Sequence, residues 1–185
     1  MKDSKTFLKE LKQYRENLRT PEFKECLYSA YKKRKPSKEM AVFLELSTAQ
    51  SYGPRMEKFY IENKDCQKVP ASLDCGDFST KASKKGEYKF SYAKEENKYK
   101  FNFVQIRPWQ KIDGYVFEIY SDKHGLEQFN ISKEKMKDLL EEFGGYAHGT
   151  KKHNTNKMKE YALRGTIGGK LWNTLTISNS EAIWQ

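Results

Sequence analysis

The feature that most constrains the fold is a change of hydrophobic period near residue 70. Before it, apolar residues recur at helical steps. Phe7, Leu11, Tyr14 and Leu18 predict an amphipathic helix over 2–18. Thr20 as N-cap and Pro21 at the first turn open a second helix, whose apolar side is Phe23, Leu27 and Tyr31. Lys32-Lys33-Arg34-Lys35-Pro36 ends it in a basic loop, read as solvated. Ser37 caps a third helix through Met40, Phe43, Leu44 and Leu46 to about Gln50. Ser51-Tyr52-Gly53-Pro54 reads as a breaker, with Pro54 opening a short helix that carries Glu57, Phe59 and Tyr60.

After residue 70 the pattern alternates. Glu87–Tyr92 and Tyr99–Ile106 read as strands joined by the polar, hairpin-like Lys94–Lys98 connection, and Tyr115–Tyr120 is a short apolar strand after Asp113-Gly114. Ser132 caps a helix with Met136, Leu139, Leu140 and Phe143 on one face, stopped by Gly144-Gly145. Asn154–Leu163 and Gly169–Leu175 read as shorter helices. Helices, then a mostly antiparallel sheet, then helices predict an α/β (α+β) domain over 1–185, with a central mixed sheet flanked by helices. Its expected parts are a helical 1–50, a sheet-bearing 51–125 and a helical, basic 126–185.

A chain of 185 residues can bury a real core, and its 14% aromatic content offsets a modest 37% hydrophobic content. The longest apolar runs fall far short of a membrane span, and the N-terminal MKDSKTFLKELKQY lacks the apolar stretch of a secretory signal. Cys26, Cys66 and Cys75 form an odd set without CxxC spacing, which argues against a disulfide framework and fits a cytoplasmic location. The net charge of +10 is unevenly spread. Residues 1–40 hold twelve Lys/Arg against six acids, and 148–172 hold six against one, whereas 113–142 hold four against eight. One face is thus expected to meet a polyanion.

Gly76-Asp77 is followed by Glu87-Tyr88-Lys89 on a strand. Strand geometry puts Tyr88, Phe90 and Tyr92 on an apolar side, so Glu87, Lys89 and Ser91 share the other. A carboxylate and an ammonium then project together near a second acid. Carboxylate oxygens suit Mg²⁺, a hard cation that activates water and offsets phosphate charge. A neighbouring Lys can orient or deprotonate the attacking water. Asp74 competes for the first acidic role. Asp77 is preferred because Gly76 permits a tight backbone and the shorter spacing suits a hairpin into Glu87.

Residues 47–172 resemble the PD-(D/E)XK nuclease superfamily, especially bacterial type II restriction endonucleases. The resemblance rests on Ser51-Tyr52-Gly53-Pro54-Arg55 with Glu57, Gly76-Asp77, Glu87-Tyr88-Lys89, Val104-Gln105-Ile106-Arg107-Pro108-Trp109-Gln110 and His148-Gly149-Thr150. Gly-Asp stands here where that family's name has Pro-Asp. The resemblance implies a restriction-endonuclease-like core, with Asp77 and Glu87 binding Mg²⁺, Lys89 as the catalytic lysine and Glu57 as an additional acid. It implies Mg²⁺-dependent cleavage of double-stranded DNA by a homodimer. A repair or junction-resolving nuclease, and a nucleic-acid-binding module without chemistry, are the alternatives.

DNA contacts are expected from two further segments. Gln105 and Arg107 continue the side of the strand that carries Tyr99, Phe101 and Phe103, within reach of a phosphate or base edge, with Gln105 close to the metal site. The loop at His148, Thr150, Lys151 and Lys152 is basic and precedes an expected helix N-terminus, and Arg164 extends the positive stretch. Trp109 is expected in the core.

Overall fold

The computed structural model describes residues 12–70, 72–147 and 160–185. Residues 12–17 are helical, as the first expected helix requires; the rest of that helix lies outside the described residues. Three helices follow: α1 (Pro21–Lys33), α2 (Lys38–Leu46) and α3 (Ala49–Asn63). Their starts follow local chemistry. Thr20 Oγ1 accepts the Phe23 N–H at 3.3 Å, and Ser37 Oγ accepts that of Met40 at 3.1 Å. Pro54 does not break the chain. It sits inside α3, where its missing N–H removes one early backbone bond, and burial of Met56, Phe59, Tyr60 and Ile61 outweighs that loss.

The central sheet has five strands in the order β1 (Gln67–Lys68), β2 (Phe78–Ser79), β3 (Lys85–Tyr92), β5 (Gly114–Ser121), β6 (Gly125–Ser132). Only β3 and β5 pair in parallel; the remaining pairs are antiparallel, so the sheet is mixed. The crossover between β3 and β5 contains β4 (Lys100–Ile106), which leaves the central sheet and joins β8 (Tyr161–Thr166) and β7 (Gly144–Tyr146) in a second, antiparallel sheet. Two further α-helices are described: α4 (Lys133–Phe143), capped by Ser132 Oγ accepting from Lys135 N at 3.2 Å, and α5 (Lys170–Ser178). The C-terminal part is therefore not only helical. It supplies β6 to the central sheet and β7 and β8 to the second, and residues 161–163, expected to end a helix, start a strand.

Every residue of β5 is buried, because both faces of the central sheet are covered. On one face Tyr88, Val116, Tyr120 and Leu126 meet Leu27, Tyr31, Phe43, Met56, Phe59 and Tyr60 of the helical layer. On the other, Tyr115, Phe117, Ile119, Phe129 and Ile131 meet Phe101, Phe103 and Leu163 of the second sheet, Met136 and Leu139 of α4, and Leu171 and Leu175 of α5. Among the described residues no helix is long and apolar enough to cross a membrane. The cysteines are free thiols, with Cys26 exposed and Cys66 and Cys75 half-buried.

Candidate active site

The site forms where the short hairpin of β2 and β3 begins. Gly76 takes φ +80°, a left-handed conformation that side chains resist. A Cβ there would collide with the carbonyl of Gly86 and with Ile112. This close approach lets the Asp77 N–H donate to the Gly86 carbonyl at 2.8 Å. The Asp77 carbonyl in turn accepts from Val69 N at 2.9 Å, so the acid is fixed between two backbone segments. Its side chain turns onto β3, where Oδ2 accepts the Tyr88 N–H at 2.9 Å. The tight backbone expected of Gly76 is thus present, and Asp77 is tied directly to the strand carrying Glu87 and Lys89.

On β3 the period-two expectation holds around the site. Tyr88 is buried in the helical-layer core, with its ring 5.3 Å from that of Tyr60. Glu87 and Lys89 project to the opposite face, in register with Tyr115 and Phe117 of β5. Glu87 is only 3% exposed. A buried carboxylate needs partners, and Glu87 has them: Lys89 Nζ donates to Oε1 at 2.5 Å and Gln110 Nε2 to Oε2 at 3.1 Å. Lys89 keeps 19% of its side chain exposed, so this ion pair opens toward solvent at the ammonium end.

Burial, and next the Glu87 carboxylate, push the Asp77 carboxyl up to about 6. The Lys89 ammonium and the Tyr88 N–H pull the other way, and Glu57 adds to the rise. These influences show Asp77, Glu87, Lys89 and Glu57 within one electrostatic neighbourhood. Glu57 comes from α3, where Oε1 accepts from Lys68 Nζ at 2.8 Å. That bond raises the Lys68 pKa, with burial opposing and the charges of Glu57 and Asp77 assisting.

The donor set suits a hard divalent cation. It consists of carboxylates, and the charge of Glu87 works against ionisation of Asp77, an effect that a divalent cation would offset. Among the described residues no group of three or more His, Cys, Asp or Glu side chains is placed to hold an ion alone. Two carboxylates are nevertheless the usual protein share for Mg²⁺, which keeps waters and takes phosphate oxygens as its remaining ligands.

Among the described residues, none of the side chains expected to contact DNA is hydrogen-bonded to Asp77, Glu87 or Lys89. Gln105 is not among the hydrogen-bond partners of Glu87, which are Lys89 and Gln110. The pairing of β4 with β8 shifts register between Phe103 and Ile106, Gln105 takes φ +56° there, and its side chain is exposed. The bulge breaks the alternation, so Ile106, not Gln105, takes the next inward place. Arg107 is held by Glu160, Nε to Oε1 at 2.7 Å. Arg164 is exposed on β8 opposite Asn102, with Nη2 3.4 Å from the Tyr146 carbonyl. Asp74 serves the backbone instead: its carbonyl accepts from Lys111 N at 2.7 Å. Trp109 is half-buried, and its indole nitrogen is buried without a hydrogen-bond partner. His148, Thr150, Lys151 and Lys152 lie outside the described residues.

The residue that sequence reasoning passed over is Gln110. It lies in the same segment as Gln105, and a turn whose Gln110 N–H meets the Arg107 carbonyl at 3.1 Å carries it back onto Glu87. Neither periodicity nor a motif spacing marks such a return. Compared with known proteins, the chain matches no family model and no curated protein.

Proposed function

We propose that this chain is a divalent-cation-dependent endonuclease acting on double-stranded DNA, in the manner of a homodimeric type II restriction enzyme of the cytoplasm. The observation that carries the reading is the meeting of Asp77, Glu87 and Lys89 at the β2–β3 hairpin, with Lys89 bonded to Glu87 and Asp77 bonded to the N–H of Tyr88 between them. Asp77 and Glu87 are the residues that would hold Mg²⁺, with Glu57 beside them. The cation would supply Lewis acidity toward the phosphate and a more acidic water.

The chain's own groups have distinct parts. The Lys89 ammonium, directed by Glu87 and reaching solvent, orients the attacking water and offsets charge developing on the phosphate. The Tyr88 N–H holds Asp77 in place for the same centre. Burial of Glu87 keeps its carboxylate in a low-dielectric setting, where its pull on Lys89 is strong. The homodimer is what the resemblance implies: two active sites related by a two-fold axis would cut both strands of a palindrome.

A nucleic-acid-binding module without chemistry is the competing reading. It draws on one specific observation: both oxygens of Glu87 already have partners within the chain. Incubation with supercoiled plasmid in Mg²⁺ separates the two. Discrete fragments are expected with the wild-type chain, none in EDTA, and a loss of about 10²–10⁴-fold in Lys89→Ala, the range for removing a positioned proton-transfer group. Glu87→Ala is expected to fall to background. Cleavage that survives in Glu87→Ala would sink the site assignment, and a wild-type chain that binds duplex without cutting it would establish the binding module. Target preference, for random duplex or for branched junctions, separates restriction from a repair or junction-resolving role.

A further inference from the structure

Gln110 is 5% exposed and makes one side-chain hydrogen bond among the described residues, from Nε2 to Glu87 Oε2 at 3.1 Å. Its Oε1 is buried and accepts from no group among the described residues. The amide cannot be turned to satisfy that oxygen without aiming a carbonyl at the Glu87 carboxylate. Its orientation is therefore dictated by Glu87, and the orphaned oxygen is the consequence. A glutamine kept only for packing would be expected to satisfy both ends of its amide or to be replaced by an apolar side chain.

The backbone around it is built to hold it there. The Gln110 carbonyl accepts from Lys133 Nζ, at the start of α4, at 2.5 Å. The next residue, Lys111, donates its N–H to the Asp74 carbonyl at 2.7 Å, three residues before Asp77. Tyr115 OH, from the strand beside Glu87, donates to the Arg107 carbonyl at the head of the turn at 3.3 Å. The turn is thus fastened to the loop preceding Asp77, to β5 and to α4, and what it delivers to the site is one amide.

We propose that Gln110 is a positioning residue for Glu87, holding Oε2 so that Oε1 alone faces Lys89 and the reacting phosphate. What Oε1 does rests on the nuclease reading; the hold on the carboxylate rests on the geometry itself. Without the amide, the carboxylate is free to turn, and Lys89 and a cation lose a fixed partner.

The test compares wild type with Gln110→Ala and Gln110→Met at pH 8. It uses crystal structures, Mn²⁺ titration without DNA, cleavage kinetics and melting temperature. In Gln110→Ala the Glu87 carboxylate is expected to rotate. Mn²⁺ binding should weaken about 10–100-fold, as for loss of groups that orient metal ligands, and kcat should fall with little change in KM. Gln110→Met keeps nearly the same volume but has no donor, so it is expected to be as impaired as Gln110→Ala. A packing role predicts the reverse, with Met rescuing what Ala loses. Wild-type behaviour in Gln110→Met overturns the proposal, as does an unmoved Glu87 with unchanged Mn²⁺ affinity in Gln110→Ala. If Gln110→Ala does not fold, the near-isosteric Gln110→Met decides alone. If wild type neither binds Mn²⁺ nor cuts DNA, the nuclease reading fails, and the position of Glu87 in the variant crystals still decides the role of Gln110.

Discussion

The Asp77 carboxyl is pushed up to about 6 by burial and by Glu87, against a value of 3.8 for an unhindered aspartate. Its folded-state pKa is raised, so the native chain binds the Asp77 proton more tightly than the unfolded chain. The stabilisation this gives is complete below about pH 4 and is lost as pH rises to about 6. At neutral pH the metal-free protein therefore carries an ionised carboxylate it would be more stable without, at a cost on the order of 2–3 kcal/mol. Asp77→Asn in EDTA is expected to melt several degrees higher than wild type at pH 7.5, and the difference should vanish near pH 4. Thermal melts across that range check it. A variant that melts lower at pH 7.5 would show that the Tyr88 N–H and Lys89 outweigh burial and the Glu87 charge. Glu118 of β5 is a second buried acid. It is fully buried on the helical-layer side, where it accepts from Tyr31 OH, Tyr88 OH at 2.7 Å and Arg34 at 3.1 Å. These bonds tie α1 to the sheet, but burial still pushes its carboxyl above the usual range, with the Arg34 charge first among the groups opposing.

The element that fixes the site is the β2–β3 hairpin, and Gly76 is its narrowest point. Gly76→Ala places a side chain where φ is +80° and where the Gly86 carbonyl and Ile112 leave no room. It is expected to destabilise by at least about 1–3 kcal/mol and to displace Asp77 from Tyr88. Urea unfolding and plasmid cleavage check this, and unchanged values in both would show that the hairpin does not need the close approach. Elements of this kind differ in how far they could be read from sequence. The starts of α1, α2 and α4 were legible because Thr20, Ser37 and Ser132 act on N–H groups only a few residues away. The two faces of β3 were legible because alternation is local. The bulge at Gln105 and the strand at 161–166 were not, because they arise from pairing between β4 and β8, about sixty residues apart. Gln110 was hidden for the same reason. The turn that aims it is fixed by Asp74, Tyr115 and Lys133, and none of these is near it in a repeating pattern.

At the scale of the whole molecule, a net charge of +10 concentrated in particular segments is the reason to expect a polyanion at all, and salt dependence measures it directly. A chain that neutralises about 6–10 phosphates of duplex DNA loses affinity with a slope of log K against log salt near −0.9 per phosphate. With Ca²⁺ in place of Mg²⁺ to suppress cutting, the expected slope for a thirty-base-pair duplex is thus between about −5 and −9. The structure separates the arginines that contribute. Arg107 is committed to Glu160 at 2.7 Å, so its charge is already balanced within the fold. Arg164 is exposed and contacts only a backbone carbonyl among its described hydrogen bonds. Arg164→Ala is expected to make the slope shallower by about 1, as for one lost phosphate contact, while Arg107→Ala leaves it nearly unchanged. Fluorescence anisotropy at four or five salt concentrations reads both. A wild-type slope near zero would remove DNA as the partner, and with it the catalytic and the non-catalytic readings together. A normal wild-type slope with Arg107 as the larger contributor would instead mean that Glu160 releases its arginine when the duplex arrives.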